Sequence, residues 1–271
     1  MIIEQRTKDK LNKEIKEHFS HLYPIEDSYK TTHEGVSQMV MLDRYAQKDR
    51  ELKTLGEGDI VVTIVKEDPT FPARGIGRVI HLDRVRDEVT IKLEDEWKGA
   101  AVDPIEAETG VVVRPLYQVD KPLEIYYEQI AMRVGHALAQ AEQGKEREEF
   151  AKKFSQELMD LNLVPAGRVL YGAGSGTEVT YFNCYVMPMI EDSRGGISEH
   201  RKEVMEIMSR GGGVGTNGST LRPRGNMAKS VGGKSSGSVS WLNDLANLTH
   251  LVEQGGSRRG KSIRASLYSN I

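Results

Sequence analysis

The chain has 271 residues, 38% of them hydrophobic and 28% charged, and a mean hydropathy of −0.48, a profile that excludes a disordered or membrane-embedded chain. No apolar run reaches the ~18 residues that cross a bilayer, and the mixed charge of the N-terminal segment is unlike a signal peptide, so the expected location is the cytoplasm, with no membrane partner. One cysteine, Cys184, excludes an internal disulfide framework, and the seven histidines lack metal-ligand spacing, so no metal site is expected.

Charge is unevenly divided: residues 1–166 carry a net −8 and residues 167–271 a net +5. The second segment therefore suits an anionic ligand. In chain order, residues 8–20 and 36–53 are charged and moderately periodic, which predicts short helices. Between 58 and 115 come β-branched runs at 59–65, 77–82, 88–93 and 111–113, separated by Gly, Pro and Asp. They predict short strands forming either a small barrel of SH3-like type or a β-meander that serves only as packing. Two helices follow, with Tyr127, Ile130, Val134 and Leu138 on the core face of the first and Phe150, Phe154, Leu158 and Leu161 on that of the second. A Gly/Ser/Thr-rich turn region at 171–180 leads to a short apolar strand at 181–187 that contains Cys184. Further helices are predicted at 198–209, with Ser198 as N-cap and Val204, Ile207 and Met208 buried, and at 238–252, with Val239, Leu242, Leu245, Ala246 and Val252 inward.

Of the 27 glycines, 17 lie between Gly172 and Gly260, which predicts backbone-defined loops at 211–218, 225–237 and 255–260. These loops carry Arg222, Arg224, Lys229, Lys234, Arg258 and Arg259. Glycine lets backbone N–H groups approach phosphate oxygens while the cations neutralise charge, so a nucleoside di- or triphosphate is one natural ligand; a set of solvated surface loops is the alternative. Aromatics are nearly absent there, which leaves nucleic acid without base-stacking platforms. The Gly-Val-Gly-Thr-Asn-Gly run at 213–218 has the spacing of a dinucleotide fingerprint, but it follows a helix-like segment where that motif follows a strand. Gly233-Lys234-Ser235 fails as a P-loop because Ala228 stands where the first glycine is required.

Four motifs then occur in order: Phe-Asn-Cys-Tyr-Val at 182–186; Glu-Val-Met-Glu-Ile-Met-Ser-Arg-Gly-Gly-Gly-Val-Gly-Thr-Asn-Gly-Ser-Thr-Leu-Arg-Pro-Arg at 203–224; Gly-Lys-Ser-Ser-Gly-Ser-Val-Ser-Trp at 233–241; and Val-Glu-Gln-Gly-Gly-Ser-Arg-Arg-Gly at 252–260. Together they resemble the large subunit of ribonucleotide reductase, most closely its adenosylcobalamin-dependent (class II) branch, strongly over residues 165–260. The resemblance implies a mixed α/β fold: the first part of a ten-stranded α/β barrel at 121–260, preceded by a helical segment (1–57) and the small β module (58–120), and followed by a tail (261–271) unlike the family.

It implies radical reduction of ribonucleotides to deoxyribonucleotides, with Cys184 as the first cysteine of the reducing pair and Gly167, Asn183 and Gly213 at the substrate. Asp192 and Ser193 match the start of an allosteric effector site for a deoxynucleoside triphosphate, and Arg222 and Lys229 match its phosphate-holding cations. Lys234, Ser235 and Ser236 match the loop that reports effector identity to the substrate site. Adenosylcobalamin, a thioredoxin-like reductant and a second copy of the chain are the implied cofactor and partners, although no cobalamin-binding residues are recognised. The family's hydrogen-abstracting cysteine and second reducing cysteine have no counterpart here. The expectation is an N-terminal piece that needs a missing C-terminal half; the alternative is a non-catalytic nucleotide-binding or regulatory protein derived from the enzyme.

Overall fold

Ile60–Lys66 is β-branched at every position but the last, and in the computed structural model it is a strand inside a six-stranded sheet. The structure describes residues 3–30, 34–68, 72–228, 232–254, 258–259 and 263–266, which fall into two units, Met1–Gly176 and Thr177–Ile271.

The first unit runs α1 (Gln5–His18), α2 (Gly35–Val40), a π-helical turn (Met41–Tyr45), β1 (Lys48–Asp49), β2 (Ile60–Lys66), β3 (Ala73–Asp83), β4 (Glu88–Leu93), α3 (Asp95–Lys98), α4 (Pro104–Thr109), β5 (Val111–Pro115), β6 (Val119–Pro122), α5 (Tyr127–Leu138), α6 (Glu146–Met159) and α7 (Gly167–Gly172). Its strands pair antiparallel in the order β1-β6-β2-β3-β4-β5. The four predicted strands all form, but the sheet is open at β1 and β5 and is not the closed barrel expected. Both faces of β2 are covered: Ile60 and Val62 join a core with Ile15, Leu42, Ile125, Ile130 and Leu158, while Val61 and Val65 join Val79, Val89, Ile91 and Val112 on the other side. Burial on both faces is why β2 reads as an unbroken apolar run.

The helix expected over 36–53 stops at Tyr45, because Lys48 and Asp49 pair with Pro122 and Lys121 as sheet. The Lys48 ammonium is buried and bonds the Asp120 carboxylate at 2.9 Å; Lys121, 2% exposed, meets Glu14 at 2.6 Å and Asp59 at 2.8 Å. Charge at these positions hides two strands from a pattern reading, and pairing makes their burial tolerable.

Helix α5 buries Tyr127, Ile130 and Val134 as expected, whereas α6 buries Ala151, Ser155 and Leu158. Phe150 and Phe154 instead lie half-buried with ring centroids 5.7 Å apart, and Leu161 is exposed beyond the helix end. Small residues face α5 because the two helices nearly touch: a Cβ on Gly135 would stand 2.3 Å from Ser155 Oγ and 2.6 Å from Ser155 N. Gly135→Ala should therefore destabilise this unit by about 1–3 kcal/mol, despite alanine's better helix propensity, because a backbone atom must move. Thermal denaturation checks this, and an unchanged or raised midpoint would mean that α5 and α6 separate at no cost.

In the second unit, β7 (Cys184–Val186), α8 (Arg194–Ser209), β8 (Gly213–Asn217), β9 (Met227–Ala228), β10 (Gly233–Lys234), α9 (Ser238–Leu251), β11 (Glu253–Gln254), β12 (Arg258–Arg259) and β13 (Ile263–Ser266) follow in turn. Strands β7 and β13 flank β8, both parallel to it. The result is a β-α-β-α-β winding whose strands lie side by side in chain order, a mixed α/β arrangement with helical crossovers. Met187, Val204, Met208, Val214, Leu248 and Val252 form its core.

Several expectations change here. The glycine-rich stretch at 211–218, read as a loop, contains strand β8, and the segment set apart as a tail contributes β13. Helix α8 begins a turn before Ser198 and is capped by Ser193, whose Oγ accepts from Gly196 N at 2.9 Å. The turn region at 171–180 starts only after α7. Val239 is exposed on α9, which turns Leu245 and Leu248 inward. No described helix is long and apolar enough to cross a membrane.

Candidate functional site

Strand β8 alternates, with Val214 and Thr216 buried and Gly213, Gly215 and Asn217 on the opposite face. Cys184, the first residue of β7, is exposed and lies in register with Gly213. The Gly213 amide donates to the Asn183 carbonyl at 2.8 Å, and a Cβ there would stand 3.3 Å from that oxygen and 3.9 Å from Cys184 Sγ. Glycine at 213 thus leaves bare backbone beside an accessible thiol. The fold brings together Asn183, Cys184 and Gly213, three of the residues singled out in the sequence. Exposure also means that Cys184 does not serve as a small core hydrophobe. The fourth, Gly167, opens α7 in the first unit, where a Cβ would come within 3.2 Å of the Tyr45 ring.

Behind β8, His200 Nε2 lies 3.1 Å from Thr216 Oγ1, and both residues are buried. Burial holds the imidazole below its ordinary pKa, with the Glu203 charge opposing. A histidine neutral in the fold and protonated when unfolded withdraws its stabilising contribution as pH falls below about 6.5. Sequence reasoning missed this residue, although Ile197, His200, Val204 and Met208 share one helical face, which is the signal that would have found it.

The expected effector residues form a second cluster. Arg222 Nε donates to Asp192 Oδ2 at 2.7 Å, Nη2 to the Asp192 carbonyl at 3.1 Å and Nη1 to the Met227 carbonyl at 3.1 Å. Ser193 is committed to the α8 cap. Met227 lies opposite Lys234 in the β9–β10 hairpin, and the Lys234 side chain is exposed. Ser235 ties the hairpin ends: its amide donates to the Asn226 carbonyl at 2.8 Å, and its carbonyl accepts from Gly225 N at 2.9 Å. Ser236 is exposed, and its carbonyl accepts from Ser240 Oγ at the start of α9. The structure brings Asp192, Ser193, Arg222 and the 234–236 hairpin into one connected set. Lys229 lies outside the described residues.

A cleft of 730 Å³ in the first unit is lined by, among others, Lys66, Glu67, Glu106, Arg114 and Tyr117, and Glu106 grips Arg114 through bonds of 2.6 and 2.7 Å. None of the site residues named from the sequence lines it.

Residues 182–265 match the family model of the ribonucleotide reductase barrel domain, and residues 114–178 match that of the all-alpha domain of ribonucleotide reductase. Among similar proteins is a vitamin B12-dependent ribonucleoside-diphosphate reductase of Mycobacterium tuberculosis, 35% identical over 127 residues, which are 47% of this chain and 18% of that protein. Another protein of the same name, from Thermoplasma acidophilum, is 32% identical over 122 residues, 45% of this chain and 16% of the relative. The ribonucleoside-diphosphate reductase large subunit of Monkeypox virus is 31% identical over 94 residues, 35% and 12% of the two chains. The matched segments thus cover less than a fifth of the length of these curated relatives.

Proposed function

From a chain that belongs, over residues 114–178 and 182–265, to the ribonucleotide reductase large-subunit family, we propose that it takes part in the reduction of ribonucleotides to deoxyribonucleotides in the cytoplasm. The β-α-β-α-β winding is then the opening of a ten-stranded α/β barrel. The observation that carries this reading is the exposed Cys184 thiol in register with the bare backbone of Gly213 and next to Asn183.

In the proposed reaction the ribose lies against Gly213 and Asn183. Loss of the 2′-hydroxyl as water takes two electrons and two protons from a thiol pair, which becomes a disulfide. Cys184 is the single cysteine of these 271 residues, so the second thiol lies outside them. Adenosylcobalamin, implied by the relatives' names, would supply the radical. The 730 Å³ cleft, bordered by ion-paired Arg114 and Glu106, is not assigned to it. No step is assigned to this chain through that group.

Asp192, Ser193, Arg222, Lys229, Lys234, Ser235 and Ser236 form the effector site for a deoxynucleoside triphosphate, with the carboxylate accepting a ribose hydroxyl and the cations holding phosphate. A non-catalytic nucleotide-binding or regulatory protein is the second reading. Calorimetric titration with the four deoxynucleoside triphosphates tests the site common to both: Arg222→Ala should weaken binding about tenfold or more, because a charge-assisted contact contributes about 1.5–3 kcal/mol. Equal affinity in the two proteins would return Arg222 to a solvated loop residue.

A further inference from the structure

The pairing of Asp192 with Arg222 has a consequence for which ligands can enter. Three of the five guanidinium N–H groups are engaged, and the Nε/Nη2 edge, the one suited to a two-point grip on phosphate, is filled on both positions by Asp192, through its carboxylate and its own carbonyl. A phosphate group that takes this edge must expel the carboxylate. The expelled carboxylate then stands beside a polyanion, which is unfavourable unless a donor returns to it. A nucleotide brings that donor in its sugar hydroxyl; inorganic polyphosphate does not.

We propose that the Asp192–Arg222 pair is a gate on the effector site, and that Asp192 is the specificity-determining residue that lets a nucleoside triphosphate in while disfavouring bare polyphosphate. The proposal rests on the effector reading given above.

The test compares inorganic tripolyphosphate with the four deoxynucleoside triphosphates on the full 271-residue chain, by calorimetry, with folding verified by circular dichroism. Asp192→Asn keeps the shape but removes the competing charge, so tripolyphosphate should bind about two- to fivefold more tightly than to the unaltered chain, the range set by a half-exposed ion pair. Nucleotide affinity should hold steady or fall, so discrimination between the two ligands narrows. Asp192→Ser serves as a second variant should the first fold poorly. If tripolyphosphate binding is unchanged or weaker in a folded variant while Arg222→Ala weakens both ligands, the gate is overturned and the effector site stands. If neither ligand binds the folded unaltered chain, the effector reading fails and the gate fails with it.

Discussion

Arg133→Ala should cost the first unit about 3–5 kcal/mol, the largest stability loss expected from a single side chain there. The Arg133 guanidinium is fully buried against the equally buried Glu124, with Nε at 2.7 Å from one carboxylate oxygen and Nη2 at 3.0 Å from the other. It also donates to the carbonyls of Tyr45, Leu170, Tyr171 and Ala173. Three of these carbonyls belong to the C-terminal end of α7, where helical acceptors lack partners. Truncation strands an uncompensated carboxylate and takes the arginine donor from all four carbonyls, of which Tyr171's keeps Gln47 Nε2 at 2.7 Å. For a unit of this size the midpoint of thermal unfolding should drop by roughly 6–20 °C. Replacing the pair by apolar residues, Arg133→Met with Glu124→Leu, removes the stranded charge but not the orphaned carbonyls, so it should recover only part of the loss. Full recovery would mean that the arginine matters as half of an ion pair and not as the tie that holds α7, and with it Gly167, in place.

The same arginine shows why parts of this fold were legible in the sequence and parts were not. Apolar periodicity reports what is buried by apolar contact: β2, β4 and the Ile130–Val134 stripe of α5 were readable on that basis. Lys48, Lys121 and Arg133 are buried by pairing with carboxylates 72, 107 and 9 residues away, and nothing local announces such partners. Strand β6, with Asp120 and Lys121 at its centre, was missed for that reason. Glycine misled in the other direction. Gly213 and Gly215 have little strand propensity of their own, and β8 forms because β7 and β13 supply ladders on both of its edges. At the site, the motif order pointed to Cys184, Asn183 and Gly213, and the fold sets them together. The resemblance put Asp192 and Arg222 at one effector site, but nothing in the sequence announced that they bond each other across 30 residues.

Cys184→Ser should abolish multiple turnover once these residues are combined with the residues that supply the second thiol and the hydrogen-abstracting cysteine. Serine preserves size and an exposed hydroxyl at the start of β7, so nucleotide binding should stay within about twofold, whereas no disulfide can form and the two electrons have no source. The loss should exceed about a thousandfold, because a stoichiometric thiol step has no partial substitute. The chain by itself, with one cysteine, should reduce no ribonucleotide even with adenosylcobalamin and a dithiol present. Deoxynucleotide formation, followed by chromatography with labelled substrate, measures both. Turnover by these 271 residues alone would overturn the requirement for a second thiol outside them. Full dithiol-dependent turnover in the reconstituted Cys184→Ser protein would show that the thiol beside Gly213 is not the reductant.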